Sequence, residues 1–172
     1  MYIIAIVAMA ALIFVDQFTK YLATTYLKPI GSFPIVEGVF EFFYTTNDGA
    51  AFSILRGFRW GFIVLAVIVL SIIVYYFIKL PKTKLYNCVR ICLVFVSAGA
   101  VGNAIDRALY GKVVDFFYFK LIDFAVFNVA DIYVVCGCIA LCVILLFFVK
   151  DGKGDKKEAD GVENSLKDVE EL

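Results

Sequence analysis

No histidine occurs in this sequence of 172 residues. That excludes hydrolysis by a Ser–His or Cys–His pair and leaves a zinc site with almost no ligands to draw on. Only five cysteines are present, Cys88, Cys92, Cys136, Cys138 and Cys142, each inside or at the end of an apolar run, where a thiol packs as a small hydrophobe. Cys136 and Cys138 fall on different faces of a helix, so no disulfide is required and no metal is expected. Proline is down to three residues, and the formal net charge is zero. With no global field, nucleic acid is not an expected partner.

What the sequence has instead is apolar length. Sixty-three per cent of the residues are hydrophobic and the mean hydropathy is +0.91, which places the chain among membrane proteins. Four runs are long enough for a bilayer-spanning helix of about 20 residues. They are Tyr2 to about Leu27, Phe58–Ile78, Tyr86 to about Asp106, and Val129–Val149. No basic segment precedes the first run and no small-x-small cleavage site follows it, so it reads as a spanning helix and not a signal peptide.

Lys79, Lys82, Lys84 and Arg90 flank the short connection between the second and third runs, without an acid among them. By the positive-inside rule that connection is cytoplasmic, and four spans put both termini on the same side. The connections 28–57 and 107–128 then share the opposite face. Within the first, Val39 to Thr46 reads as aromatic-rich strand and Asn47-Asp48-Gly49 as a turn. Residues 150–172 mix lysines with acids and carry little that could be buried, and they read as a disordered cytoplasmic tail.

Polar chemistry is concentrated between Gly99 and Asp131, where Asp106, Asp115, Asp123, Asp131, Asn103, Asn128 and Arg107 lie at the edges of apolar segments. Asn103, Asp106 and Arg107 are spaced i, i+3, i+4 and project from one stripe of the third helix. Asn128 and Asp131 share a face at the start of the fourth. Asp16 and Lys20, four apart on the first helix, read as a local ion pair that orients the helix end. Ala98 and Gly102, also four apart, allow close helix packing.

Carboxylates without histidine or a metal-ligand set suggest a proton-sharing pair. Two acids crowded into a low-dielectric site resist ionising together, so one activates water while the other protonates the oxyanion and the leaving amine. From the residues alone, Asp106 and Asp115 compete for the place beside Asp131. A tetraspan scaffold whose polar residues merely cap helices would account for Asn128 but not for the whole cluster. A transporter needs polar groups across the bilayer, and the second and fourth runs offer only Ser71 and cysteines at mid-depth.

Five motifs carry a resemblance to a known family. They are Asp16-Gln-x-x-Lys20, Asn47-x-Gly49-Ala50-Ala51-Phe52, Gly99-x-x-Gly102-Asn103-x-x-Asp106-Arg107, Val113-Val114-Asp115-Phe116 and Phe127-Asn128-x-Ala130-Asp131. In this order the chain resembles lipoprotein signal peptidase (signal peptidase II), over essentially all of residues 3 to 149. The resemblance implies an all-α membrane protein with four transmembrane helices, a small extracytoplasmic β cradle and a short interfacial helix. Residues 1–149 would form the peptidase domain, in a bacterial cytoplasmic membrane with the active site on the extracytoplasmic face.

It further implies removal of the signal peptide from diacylglyceryl-modified prolipoproteins, by cleavage before the lipidated cysteine, and inhibition by globomycin-type compounds. Asp115 and Asp131 would be catalytic. Asn47, Asn103, Arg107 and Asn128 would bind substrate backbone, and Asp16, Lys20, Asp106, Gly99 and Gly102 would be structural. No cofactor is implied, membrane lipids are the surroundings, and a monomer suffices. The chain departs from the family in a somewhat short segment between Asp115 and Asp131, with Phe124-Ala125-Val126-Phe127 where a proline is common.

Overall fold

The computed structural model describes residues 2–49 and 57–149. Ala50, Ala51 and Phe52 of the first connection and the tail from Lys150 lie outside the described residues. Four helices are long and apolar enough to cross a membrane: Tyr2–Leu27, Arg59–Lys79, Lys84–Tyr110 and Val129–Phe148. Their regular α-helical parts are α1 (Tyr2–Leu22), α2 (Arg59–Lys79), α3 (Lys84–Tyr110) and α4 (Val129–Ile144). α1 and α4 each end in a wider π turn, Ala23–Leu27 and Leu145–Val149.

α3 is the axis of the bundle. Val89, Cys92, Leu93, Val96, Ala98, Gly99, Gly102 and Asp106 are all buried on it, whereas α2 buries Ile73 alone. The other helices turn most of their apolar surface outward, as helices solvated by lipid do. Small residues decide the closest approaches. A Cβ on Gly99 would run into the backbone carbonyl of Ala130, and one on Gly137 would crowd Val96 and Phe95. α3 starts at Thr83, whose hydroxyl accepts from Tyr86 N at 3.4 Å, and stops at Gly111 with φ +78°. It therefore runs one turn past Asp106, carrying Arg107 within the helix.

At the opposite end of the bundle from the aspartates, the buried Arg90 closes the α2–α3 connection. Its guanidinium donates to Phe77 O at 3.1 Å, Pro81 O at 2.9 Å, Asn87 Oδ1 at 3.1 Å and Leu80 O. It thereby satisfies carbonyls that the end of α2 leaves unpaired.

A three-stranded antiparallel sheet, ordered β1-β2-β3, joins the two polar connections. Its strands are β1 (Ser32–Val36), β2 (Phe40–Asn47) and β3 (Val113–Tyr118). The strand expected from Val39 to Thr46 is thus β2, and the second connection supplies a partner that the sequence did not advertise. Pairing sets Asp115 opposite Thr45 and Val113 opposite Asn47, with a register shift between Phe42 and Thr45. Phe127 bridges to Phe117 on the other edge of β3 and donates to its carbonyl at 3.1 Å. A core of Ala23, Leu27 and Phe116, with Phe42, Tyr44 and Phe117 packed on it, seats the sheet on the end of α1.

Of the cysteines, Cys92 is buried, Cys88, Cys136, Cys138 and Cys142 face outward, and none forms a disulfide.

Candidate active site

The site is built in two linked layers where α1, α3, α4 and the sheet meet. The inner layer is an ion cluster. Lys20 Nζ lies 2.9 Å from Asp16 Oδ2 and 3.0 Å from Asp106 Oδ2, and donates to Asn103 Oδ1 at 2.9 Å. An ammonium has three protons, and each has a partner here. Gln17 adds donors to Asp106 Oδ1 at 2.9 Å, Asp16 Oδ2 at 3.1 Å and Gly102 O at 3.2 Å. Asp16 Oδ1 also accepts from Ala130 N at 2.9 Å, so the first helix satisfies an N-terminal amide of the fourth. Gly102 makes this possible, because a Cβ there would collide with the Asp16 carboxylate. The expected Asp16–Lys20 pair is therefore one edge of a buried cluster spanning three helices.

The outer layer is a chain of amides and carboxylates. Asn103 donates from Nδ2 to Asp131 Oδ1 at 2.8 Å. Asn128 donates from Nδ2 to Asp115 Oδ1 at 2.7 Å and to Asn103 Oδ1 at 3.2 Å. Asn128 and Asp131 also form a reciprocal capping box at the start of α4, with Asp131 N to Asn128 Oδ1 at 3.0 Å and Asn128 N to Asp131 Oδ2 at 3.1 Å. Asn47 accepts from Gly49 N at 2.9 Å through its amide oxygen and hydrogen-bonds Asp115 through its side chain.

Burial is extreme for groups of this polarity: Asp16 and Asn128 are 0% exposed, Asp106 2%, Lys20 and Asp115 3%. Buried polar groups must be hydrogen-bonded, and these are. Burial, followed by the charge of Asp131, pushes the Asp115 carboxyl up from 3.8 to about 7, against opposing hydrogen bonds from Asn128 and Asn47 and the Lys20 charge.

The two competing acids are thus treated differently. Asp106 is tied to Lys20, Gln17 and, at 3.3 Å, the backbone N–H of Val114. Asp115 lines an open cleft of about 420 Å³ together with Asn47, Thr45, Thr46 and Tyr118. The far wall is Asp123 to Val126, where the Tyr118 hydroxyl donates to Asp123 Oδ1 at 2.6 Å. Asp123 itself adopts φ +49°, which turns the chain back toward Phe127.

Arg107 stands at the side. It donates to Gly49 O at 2.9 Å and Asn103 O at 3.4 Å, and its guanidinium lies 4.7 Å from the centre of the Phe62 ring. Of the residues singled out in the sequence, Asn47, Asn103, Asn128, Asp115 and Asp131 come together in one network. Asp16, Lys20 and Asp106 form the layer beneath it, and Arg107 ties α3 to the first connection. Sequence reasoning gave Gln17 no role, although its place one residue after Asp16 and three before Lys20 was the available signal. Among the described residues no cluster of acids and cysteines is placed to hold a metal ion.

Comparison with known proteins places these features in company. Residues 8–148 match the family model for signal peptidase (SPase) II. The chain is 47% identical over 143 residues to a lipoprotein signal peptidase of Caldanaerobacter subterraneus, covering 83% of this chain and 96% of the relative. It is 38% identical over 148 residues to one from Clostridioides difficile, covering 86% and 96%. A bacterial membrane enzyme solved by the in meso method at 2.3 Å resolution superposes with a TM-score of 0.75 at 36% identity, covering 83% of this chain and 87% of that one. A second, solved at 1.9 Å, gives 0.74 at 35%, covering 84% and 93%.

Proposed function

This chain belongs to the signal peptidase II family, and from that premise we propose that it is an aspartic endopeptidase with Asp115 and Asp131 as its catalytic pair. Its substrates are prolipoproteins carrying a diacylglyceryl-modified cysteine, and the bond it cuts is the one just before that cysteine. The observation that carries the reading is the chain Asp115–Asn128–Asn103–Asp131, which links two buried or half-buried carboxylates beside a cleft without using a metal ligand.

Asp131 accepts donors on both oxygens and serves as the base that takes a proton from water. The hydroxyl oxygen attacks the scissile carbonyl carbon. Asp115, whose carboxyl burial lifts to about 7, gives its proton to the developing oxyanion. When the tetrahedral intermediate collapses, Asp115 takes the hydroxyl proton back as the C=O re-forms, the C–N bond breaks, and the proton held by Asp131 passes to the leaving amine of the lipidated cysteine. The pair titrates together and is best described by its joint behaviour.

Asn47, Asn103 and Arg107 line or brace this site and position substrate backbone through donors that cannot compete as bases. Asn128, expected to do the same, is 0% exposed with both amide hydrogens given to Asp115 and Asn103, and it acts through the acids. The supporting layer is Asp16, Lys20 and Asp106, with Gly99 and Gly102 admitting the close helix contacts. The sheet serves as a cradle for extended substrate. The basic connection after α2 supports a topology with both termini in the cytoplasm and the aspartates at the extracytoplasmic face of a bacterial cytoplasmic membrane. Globomycin-type compounds would occupy the same cleft, and one chain is sufficient for the chemistry.

The test is cleavage of a diacylglyceryl-modified prolipoprotein by purified protein in detergent, read by mass spectrometry of the new N-terminus. Asp115→Asn and Asp131→Asn keep shape but cannot exchange the proton, and each is expected to lose turnover by about 10³-fold or more while staying folded. Retained cleavage in either variant removes the pair from the mechanism. Loss of activity in Asp106→Asn with retention in Asp115→Asn would reassign the second acid.

A further inference from the structure

Three asparagines face the aspartate pair, and an amide can be turned either way round. Their orientation decides whether each presents a donor or an acceptor to its carboxylate. For two of them the backbone settles the matter. Asn47 holds its oxygen against Gly49 N–H, and Asn128 holds its oxygen against Asp131 N–H, so each turns its NH₂ toward Asp115. Those N–H groups are present whatever the side chains are.

Asn103 is different. The group that fixes its oxygen is the ammonium of Lys20 at 2.9 Å, joined by Asn128 Nδ2 at 3.2 Å. An ammonium can only donate, so the Asn103 atom it faces must be the oxygen, and Nδ2 is forced toward Asp131 Oδ1 at 2.8 Å. Asp131 Oδ2 is already occupied by Asn128 N–H, and both oxygens therefore act as acceptors. Two donated hydrogen bonds favour the ionised form of Asp131, which keeps a lone pair on each oxygen to receive a proton from water, and the shared proton rests on Asp115.

We propose that Lys20 is a positioning residue for the reaction: through the Asn103 amide it dictates which aspartate of the pair carries the proton. It touches neither aspartate of the pair and does not meet the substrate. The proposal rests on the aspartic-pair reading above. Lys20 balances part of the charge of Asp16 and Asp106 in the same stroke, which ties the fold of the inner layer to the chemistry of the outer one.

The charged groups around Asp131 are Asp115 from β3, Asp106 and Arg107 from α3, and Asp16 and Lys20 from α1, with Asp48 in the first connection next to Asn47. A variant that deletes Lys20 alone changes this field and leaves two buried acids facing each other. Lys20→Met/Asp106→Asn removes one cation and one anion together, leaving the net charge of the layer unchanged. Without the ammonium, only the longer 3.2 Å bond from Asn128 Nδ2 holds the Asn103 oxygen in place; when the amide turns that oxygen to Asp131, a proton is drawn there.

The expected result for Lys20→Met/Asp106→Asn is a kcat at least tenfold lower near neutral pH, an unchanged KM, and an acidic limb of the pH–rate profile displaced by about one pH unit to the alkaline side. Infrared difference spectroscopy gives a second readout, independent of turnover. In the unaltered protein the protonated-carboxyl stretch disappears with Asp115→Asn; in the double-variant background it survives that change and is lost on adding Asp131→Asn, because Asp131 and not the buried Asp16 now holds the proton. A uniform fall in kcat with the limb in place, or a carboxyl band still lost with Asp115→Asn, overturns the role of Lys20 and leaves the aspartic pair standing. Full cleavage by Asp115→Asn or Asp131→Asn alone overturns the pair itself.

Discussion

Asn128 gives one amide hydrogen to Asp115 across 2.7 Å while its amide oxygen takes the backbone hydrogen of Asp131 across 3.0 Å. One fully buried side chain thus contacts both acids and caps α4. Asn128→Ala is expected to lower turnover by about 10²-fold or more, as the loss of a positioned donor does, and to cost about 1–2 kcal/mol through the lost cap. Kinetics and thermal unfolding in one detergent check the two effects together.

Turnover should fall on the alkaline side. Asp115 must carry a proton to act as the acid, and burial together with the charge of Asp131 lifts its carboxyl to about 7. kcat/KM is therefore expected to decline as pH rises through about 7. A pH–rate profile with a lipidated peptide substrate tests it, and a plateau extending to pH 9 would remove Asp115 as the acid.

Stability carries the opposite signature in the Asn variant. A carboxyl raised from 3.8 to about 7 binds its proton more tightly in the folded state, so its share of stability is present below pH 4 and is lost as pH rises toward 7. Asp115→Asn has no charge to bury. It should match the unaltered protein near pH 4 and exceed it at pH 8, by on the order of 4 kcal/mol as an upper bound. Unfolding by denaturant at the two pH values measures the difference.

Asp16→Ala is expected to be among the most damaging changes away from the cleft. It removes a partner of Lys20 and the acceptor for Ala130 N, both buried. Breaking one partner of a buried pair costs roughly 3–5 kcal/mol. The measurement is the melting temperature of the purified variant. A loss no larger than that of an exposed alanine substitution would contradict the cluster.

Gly99→Ala places a methyl where the Ala130 carbonyl already lies. Overpacking of this kind costs about 1–3 kcal/mol, and here it would also push α4 and its aspartate away from α3. Activity should therefore fall more steeply than stability. Gly38→Ala is a useful contrast, since its φ of +72° strains the backbone but the space around it is open.

The four spans were legible because an uninterrupted apolar run of about 20 residues has few other readings. The polar residues of the site were legible for the same reason inverted: Asn103, Asp106 and Asp131 stand out in apolar surroundings. β3 was not. Val113 to Tyr118 is apolar on both sides of Asp115 and lacks the alternation that marks a strand, and its partner lies some seventy residues earlier in the chain. The choice between Asp106 and Asp115 depended on that hidden strand and on Lys20, more than eighty residues from Asp106. Periodicity carries no information about contacts at such separations.

The first turn of a helix is ordinarily its least secure part, the place where a chain opens and closes many times before anything else moves. In this protein that turn bears Asp131. Its box with Asn128, the Asp16 carboxylate under Ala130 N, and the Asn103 amide all grip the same few residues. Any opening of the end of α4 must break these bonds together, and it also pulls the donor away from Asp115. With Asp115 and Asp131 as the proposed pair, the fraction of time the site is competent is thereby set by the fraction of time one helix end stays closed.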